Sequence, residues 1–378
     1  MLKNKKENQV YVWPLCTRFV HWLIALSFTT AFILSFFEHR LNYHVGVGII
    51  FGLMLSYRII WGFIGPKYAT FNTFKLNLSQ LKYYFVEKIQ NRYRKIPAGH
   101  NPASSWYTLI VLFVGAIIVI TGMLLYGIQE GRGYLSILNE NYHKFSSVLL
   151  DIHIYASYTL LVWVIIHISG VLVEQFYHKT HMVNAMITGY KQTDGEDAQL
   201  CTPKNIVSFV IIALSLWVFY VIAFDTQSPF VKSKFPEIDF KEESPVFYYK
   251  CSKCHKIYPP YLLPQKSWLR IMDGLDNHFG EKITDQNISK ENQIEISRYL
   301  IQNSSEHSTR EAALRITEST LEERPIAITK TQYWRDTHKD IPLSAYEDKK
   351  IKDKSNCFAC HKDIEKGNLE DRDILYRH

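Results

Sequence analysis

Residues 149–173 read LLDIHIYASYTLLVWVIIHISGVLV. After Asp151 the stretch holds no charge, and its length exceeds the roughly 20 apolar residues that cross about 30 Å of hydrocarbon as a helix. In lipid a span must satisfy its own backbone polar groups, which an α-helix does. Two histidines interrupt the apolar run, His153 and His167, fourteen residues apart. At about 100° per residue they fall within ~40° of one face, and the rise between them is about 21 Å. Ionisable residues inside a span are costly and mark function by default.

Outward from this stretch, four more segments have the length and composition of spans: 17–38, 43–64, 106–127 and 204–224. Trp13, Trp22, Trp61 and Trp106 lie near span ends, as interface aromatics do. The 378 residues average 47% hydrophobic, but the average hides a split between apolar 1–225 and polar 226–378. The net charge of +7 is carried beside the apolar runs, which reads as membrane topology and not as a nucleic-acid surface. The loop 67–105 carries Lys67, Lys75, Lys82, Lys88, Arg92, Arg94 and Lys95 against Glu87. The positive-inside rule puts it in the cytoplasm with the N-terminus, and an odd number of spans puts 226–378 outside, in the periplasm of a bacterial inner membrane. Lys3, Lys5 and Lys6 precede an apolar run too long for a signal core and without a small-x-small cleavage site, so a retained first span is expected.

Four of the six cysteines fall in two pentads, Cys251-Ser252-Lys253-Cys254-His255 and Cys357-Phe358-Ala359-Cys360-His361. Cys16 and Cys201 are isolated, so a disulfide framework is a poor reading. Two thiols at this spacing reach the two vinyl groups of one porphyrin, and the following histidine then lies under the iron. A zinc half-site or redox pair is the alternative for a single pentad; two pentads on the non-cytoplasmic side favour two covalent c haems. For the sixth iron positions, Met272 is the one methionine in range, and His278, His307, His338 and His378 are the free histidines.

The histidines of the membrane half suit two stacked b haems. His21 opens the first span on the cytoplasmic side and His44 the second on the periplasmic side. The span 149–173 runs inward, so depth pairs His44 with His153 and His21 with His167. The alternative is four helix-packing histidines. Arg18 and Arg58 are candidates for haem propionates or for interface anchoring. His100 and Asn101 are candidates for a quinone, although Pro97, Gly99 and Pro102 already explain a turn there.

The elements Arg18-x-x-His21-Trp22, His44-x-Gly46, Arg58-x-x-Trp61-Gly62, Gly99-His100-Asn101-Pro102, Thr121-Gly122 and the pair His153/His167 resemble the bacterial cytochrome b561 family, which includes the b-type cytochrome subunits of nickel–iron hydrogenases. The resemblance covers about 10–190 and implies a four-helix bundle with two bis-histidine b haems that exchange electrons with quinones. The run Cys251–His255, Tyr258-Pro259-Pro260, Leu263-Pro264, Ser267-Trp268, His278-Phe279-Gly280-Glu281 and Asn356–His361 resembles the di-haem cytochromes c over about 245–375. That resemblance implies bis-histidine c haems with His278 and His338 as distal ligands, and leaves open which serves which haem.

The expected architecture is all-α: a transmembrane haem bundle over 1–190, a fifth span with a proline-bearing tether over 191–244, and a small, mainly helical di-haem c domain over 245–378. The expected function is electron transfer between quinone and a periplasmic redox partner, which is another cytochrome, a hydrogenase-type subunit or a small haem protein. A superoxide oxidase or a c-haem peroxidase is the enzymatic alternative. A redox sensor finds no signalling domain in the sequence.

Overall fold

The computed structural model describes residues 9–37, 40–90, 97–198, 202–225, 227–283, 288–320, 324–369 and 374. Cys201, His378, Arg92, Arg94 and Lys95 lie outside the described residues. The first half runs α1 (Leu15–Leu34), α2 (Leu41–Ile64), α3 (Leu78–Ile89), α4 (Pro102–Ile128), the short α5 (Asn139–Tyr142), α6 (Ser146–Leu172), α7 (Met182–Thr188) and α8 (Thr202–Phe224). The second half runs α9 (Phe240–Glu243), α10 (Pro245–Cys251), α11 (Gln265–Asp273), α12 (Lys290–Gln302), α13 (Glu311–Ser319), α14 (Gln332–Thr337) and α15 (Leu343–Tyr346). The chain divides into two units, one of residues 1–37, 42–123 and 148–228, the other of 38–41, 124–147 and 229–378.

In the first unit α1, α2, α4 and the run containing α6 are long and apolar enough to cross a membrane. Much of their apolar surface faces outward, including Phe113, Tyr155, Ile165 and Ile166. Exposure on this scale is what a lipid-solvated helix carries and a water-solvated one avoids. The described apolar stretch of α8, Phe209–Phe224, is shorter, although the whole helix of 23 residues is about 34 Å long. Inside the bundle Phe28, Phe51, Leu55, Leu112, Ile118 and Leu160 pack together. Gly52 lets α2 meet α4 closely: a Cβ there would lie 2.9 Å from a methyl of Val119. Replacing Gly52 with valine should cost about 1–3 kcal/mol through overpacking, read as a lower unfolding temperature of the detergent-purified protein.

Two local features were not legible in the sequence. A two-stranded antiparallel ribbon, β1 (Gln9–Tyr11) and β2 (Tyr190–Gln192), adds a small sheet to an otherwise helical chain, with Val10 opposite Lys191. The loop 67–105 contains α3, capped by the Asn77 side chain, which accepts from the Ser79 and Gln80 amides.

The second unit has its core in Phe240, Phe247, Leu263, Trp268, Met272, Ile296 and Leu300, with a second cluster around Tyr261, Ala313, Ile316 and Ile364. Segment 124–147 belongs to this unit. Arg132 is buried and donates from Nη1 to the Val231 carbonyl at 2.9 Å. Gly131 and Gly133 on either side take φ of 62° and 65°, the left-handed region that glycine enters without a steric penalty. Asn139, fully buried, donates to the carbonyls of Ile128 and Thr309. Arg315 donates to Ser147 Oγ at 2.7 Å and Gln129 Oε1 at 3.2 Å. Ile238 and Arg310 tie down 229–239 in turn: the Ile238 amide donates to the Lys366 carbonyl, and the Arg310 guanidinium lies over the Phe235 ring. Residues 229–239 hold no helix and are a packed part of the unit.

Candidate haem sites

Four pairs of histidine rings face each other, two in each unit. His44 and His153 have centroids 6.2 Å apart, His21 and His167 6.3 Å, His255 and His278 6.4 Å, and His338 and His361 6.2 Å. An iron between two imidazoles needs about 2 Å to each nitrogen and about 1 Å more to each ring centre, roughly 6 Å in all. The spacing fits a bis-histidine iron in every pair. The structure also distributes the distal histidines of the second unit: His278 faces His255, and His338 faces His361.

Helix geometry sets the membrane pairs. α6 presents His153 and His167 along one side, and α2 and α1 supply His44 and His21. The Nδ1 of His44 lies 2.9 Å from the Ala31 carbonyl. The Nδ1 of His153 lies 3.1 Å from the Ile118 carbonyl and 3.0 Å from Thr121 Oγ1. These bonds fix the ring orientation and leave Nε2 free, as metal-binding histidines require. Gly122 leaves the His153 ring its room: a Cβ would stand 3.1 Å from Cε1. His167 stacks on Tyr107 with centroids 4.7 Å apart and planes 15° from parallel. Sequence reasoning missed Tyr107, and it quoted Thr121-Gly122 without seeing that one residue binds His153 and the other clears space for it.

In the second unit His338 Nδ1 lies 2.9 Å from the Trp334 carbonyl one helical turn back, and its ring stacks on the Trp334 indole at 4.5 Å. His255 Nδ1 lies 2.7 Å from the Lys256 carbonyl. Burial lowers the pKa of His278 and His338, and burial together with neighbouring His338 brings His361 down to about 4. These rings are therefore neutral at pH 7, the form that ligates. Burial pushes the Cys251 and Cys357 thiols up to about 11. Among the described residues no three His, Cys, Asp or Glu side chains converge as a metal cluster. Met272 is buried in the apolar core, and His307 lies exposed on a short 3-10 turn; neither faces a pentad histidine.

The remaining candidates separate. Arg18 is engaged, donating to the Trp13 and Ile187 carbonyls. Arg58 has Nη1 buried without a partner among the described residues, as has Nδ1 of His100. The His100 ring packs against Trp13 and Phe74. Burial, with Arg58 and Lys191 as neighbouring cations, pushes His100 down to about 3. Asn101 instead caps α4: its Oδ1 accepts from the Ser104 amide at 2.7 Å, and its amide donates to Tyr84.

Residues 12–189 match the model of the prokaryotic cytochrome b561 family, and residues 247–369 that of the dihaem cytochromes c. A probable Ni/Fe-hydrogenase B-type cytochrome subunit of Rhodobacter capsulatus is 25% identical over 224 residues, half of this chain and 83% of the relative. Its counterpart in Azotobacter chroococcum is 23% identical, over half of this chain and 91% of the relative. A diheme cytochrome c from Rhodobacter sphaeroides is 32% identical over 33% of this chain and 94% of its own, with a TM-score of 0.29. One from Shewanella baltica is 24% identical, over 36% and 93%, with a TM-score of 0.28. With apolar spans and paired histidines as its framework, the chain is a membrane electron-transfer haem protein, a member of the prokaryotic cytochrome b561 family over residues 12–189 and of the dihaem cytochrome c family over residues 247–369.

Proposed function

We propose that the chain passes electrons between the quinone pool of a bacterial inner membrane and a periplasmic redox partner. Two b haems are held by His44/His153 and His21/His167. Two c haems are held by Cys251/Cys254 with His255/His278 and by Cys357/Cys360 with His361/His338. The observation that carries this reading is the common ring separation of 6.2–6.4 Å in all four pairs. Bound there, haem iron accepts and gives up one electron at a time. The chain's own residues hold, orient and insulate. Arg58, whose buried Nη1 has no hydrogen-bond partner among the described residues, suits a propionate better than Arg18, whose guanidinium is engaged. His100 stays neutral and offers Nδ1 to a quinone headgroup. Asn101 drops out of that role because the cap of α4 uses its side chain.

The basic loop with Lys67, Lys75, Lys82 and Lys88 supports a cytoplasmic placement for that end and a periplasmic one for 226–378. The relatives named as probable hydrogenase subunits support a hydrogenase-type partner, with a cytochrome or small haem protein as the other classes. Paired axial histidines leave no open iron position, which favours carriage over peroxidase chemistry. Pyridine haemochrome analysis of the purified full chain should give two b and two c haems, low-spin throughout and inert to carbon monoxide. A chain that purifies without b haem would sink the proposal.

A further inference from the structure

We infer that the two membrane haem sites are poised unequally, with the His44/His153 site at the lower reduction potential, and that Thr121 is the positioning residue that helps hold it there. The inference rests on the ligand pairs proposed above. With Nε2 toward the partner ring, each ligating imidazole carries its proton on Nδ1. At His44 that proton goes to the Ala31 carbonyl, at 2.9 Å. At His153 it is shared between the Ile118 carbonyl and Thr121 Oγ1. The Thr121 hydroxyl donates backward to the carbonyls of Ile117 (2.7 Å) and Ile118 (3.1 Å), so its oxygen is free to accept. An imidazole that donates from Nδ1 is a more basic ligand, and a more basic ligand stabilises ferric over ferrous iron.

The other pair is built differently. His21 Nδ1 is buried with no acceptor among the described residues. Tyr107 lies flat against His167, a contact through the ring face that draws no proton from Nδ1. Arg58 follows His44 by fourteen residues on α2, the interval that separates His153 from His167 on α6. It therefore stands about 21 Å further along the helix, level with the second pair. Its positive charge, with Nη1 buried, favours the added electron there. Hydrogen bonding and local charge are both levers on haem potential, and here they act in the same direction.

The test is a spectroelectrochemical titration of the detergent-purified full chain, followed at the b-haem band. T121V removes the acceptor and keeps the shape. It should raise the lower b-haem midpoint by up to about tenfold in the reduction equilibrium, about 59 mV for one electron, and leave the upper midpoint in place. T121S keeps the oxygen and should leave both unmoved. The inference is overturned if T121V retains both b haems and the lower midpoint stays, or if the upper one moves instead. Should T121V not assemble, H21A and H44A decide: the b haem surviving in H21A must titrate below the one surviving in H44A, and the reverse order overturns the inference. Unchanged b-haem content in both variants would instead refute the ligand pairs themselves, a separate result.

Discussion

Replacing His153 with alanine should halve the b-haem content, from two per chain to one, and leave both c haems in place. The b group is held only by its axial bonds and by burial. In the proposed site His153 would supply one axial nitrogen, across 6.2 Å from His44. Among the described residues of the first unit, His100 is no substitute, being enclosed by Trp13 and Phe74 at the far end of the bundle from His44. The gap left by alanine faces Gly122, which has no side chain to fill it. The surviving haem at His21/His167 is separated by about four helical turns and should keep its low-spin spectrum. The check is a pyridine haemochrome ratio of b to c, measured beside His178→Ala, a histidine outside all four pairs that should change nothing. Two b haems in His153→Ala would break the proposed pairing.

The histidine pattern explains why so much of this site was legible. His153 and His167 lie on one apolar segment at an interval that only a helix turns into alignment, so depth alone matched them with His44 and His21. The pentads are as explicit a sequence signal, because the attachment they imply would constrain three residues within five. What the sequence withheld depends on tertiary contact. His278 lies 23 residues after His255 and His338 lies 19 residues before Cys357, but no secondary-structure period spans either interval, so the facing of His278 with His255 and of His338 with His361 appears only in the fold. Thr121 and Tyr107 act through a hydroxyl and a ring face that any apolar helix might carry for packing alone. Asn101 misled for the opposite reason: its side chain was free to be a ligand contact on paper, and in the fold the α4 amides claim it. The packing of 229–239 was equally out of reach, since prolines limit helix and say nothing of packing, and in the fold Arg310 and Lys366 hold this stretch in place.

The Nδ1 contacts join structure to function more closely than the ligands do. A ligand pair says that iron can be held, whereas the acceptor behind each ring says at what energy an electron rests there. Ala31, Ile118 and Trp334 supply main-chain carbonyls, which substitution cannot delete. Thr121 supplies a side-chain oxygen and is thereby the adjustable member of the set.

Replacing His338 with alanine should have a different consequence from the same change at His153: the haem stays, and its iron opens. In the proposed site thioethers from Cys357 and Cys360 would hold that group covalently, so loss of one axial nitrogen would remove ligation without removing the cofactor. His361 remains as proximal ligand, with its ring buried and neutral. The vacated side is lined by Trp334, which stacks on the His338 ring at 4.5 Å and has no group to bind iron. One c haem per chain should therefore become high-spin and bind carbon monoxide, while total c haem stays at two. His278→Ala should do the same at the other c haem, and His307→Ala, on the exposed turn, at neither. In a C357A/C360A background, which keeps a single covalent haem, His278→Ala should still open a carbon monoxide site and His338→Ala should not. If His338→Ala opened the haem on Cys251/Cys254 instead, the pairing in the second unit would be wrong, and if the unaltered chain already bound carbon monoxide, an enzyme with an open iron would displace the electron carrier.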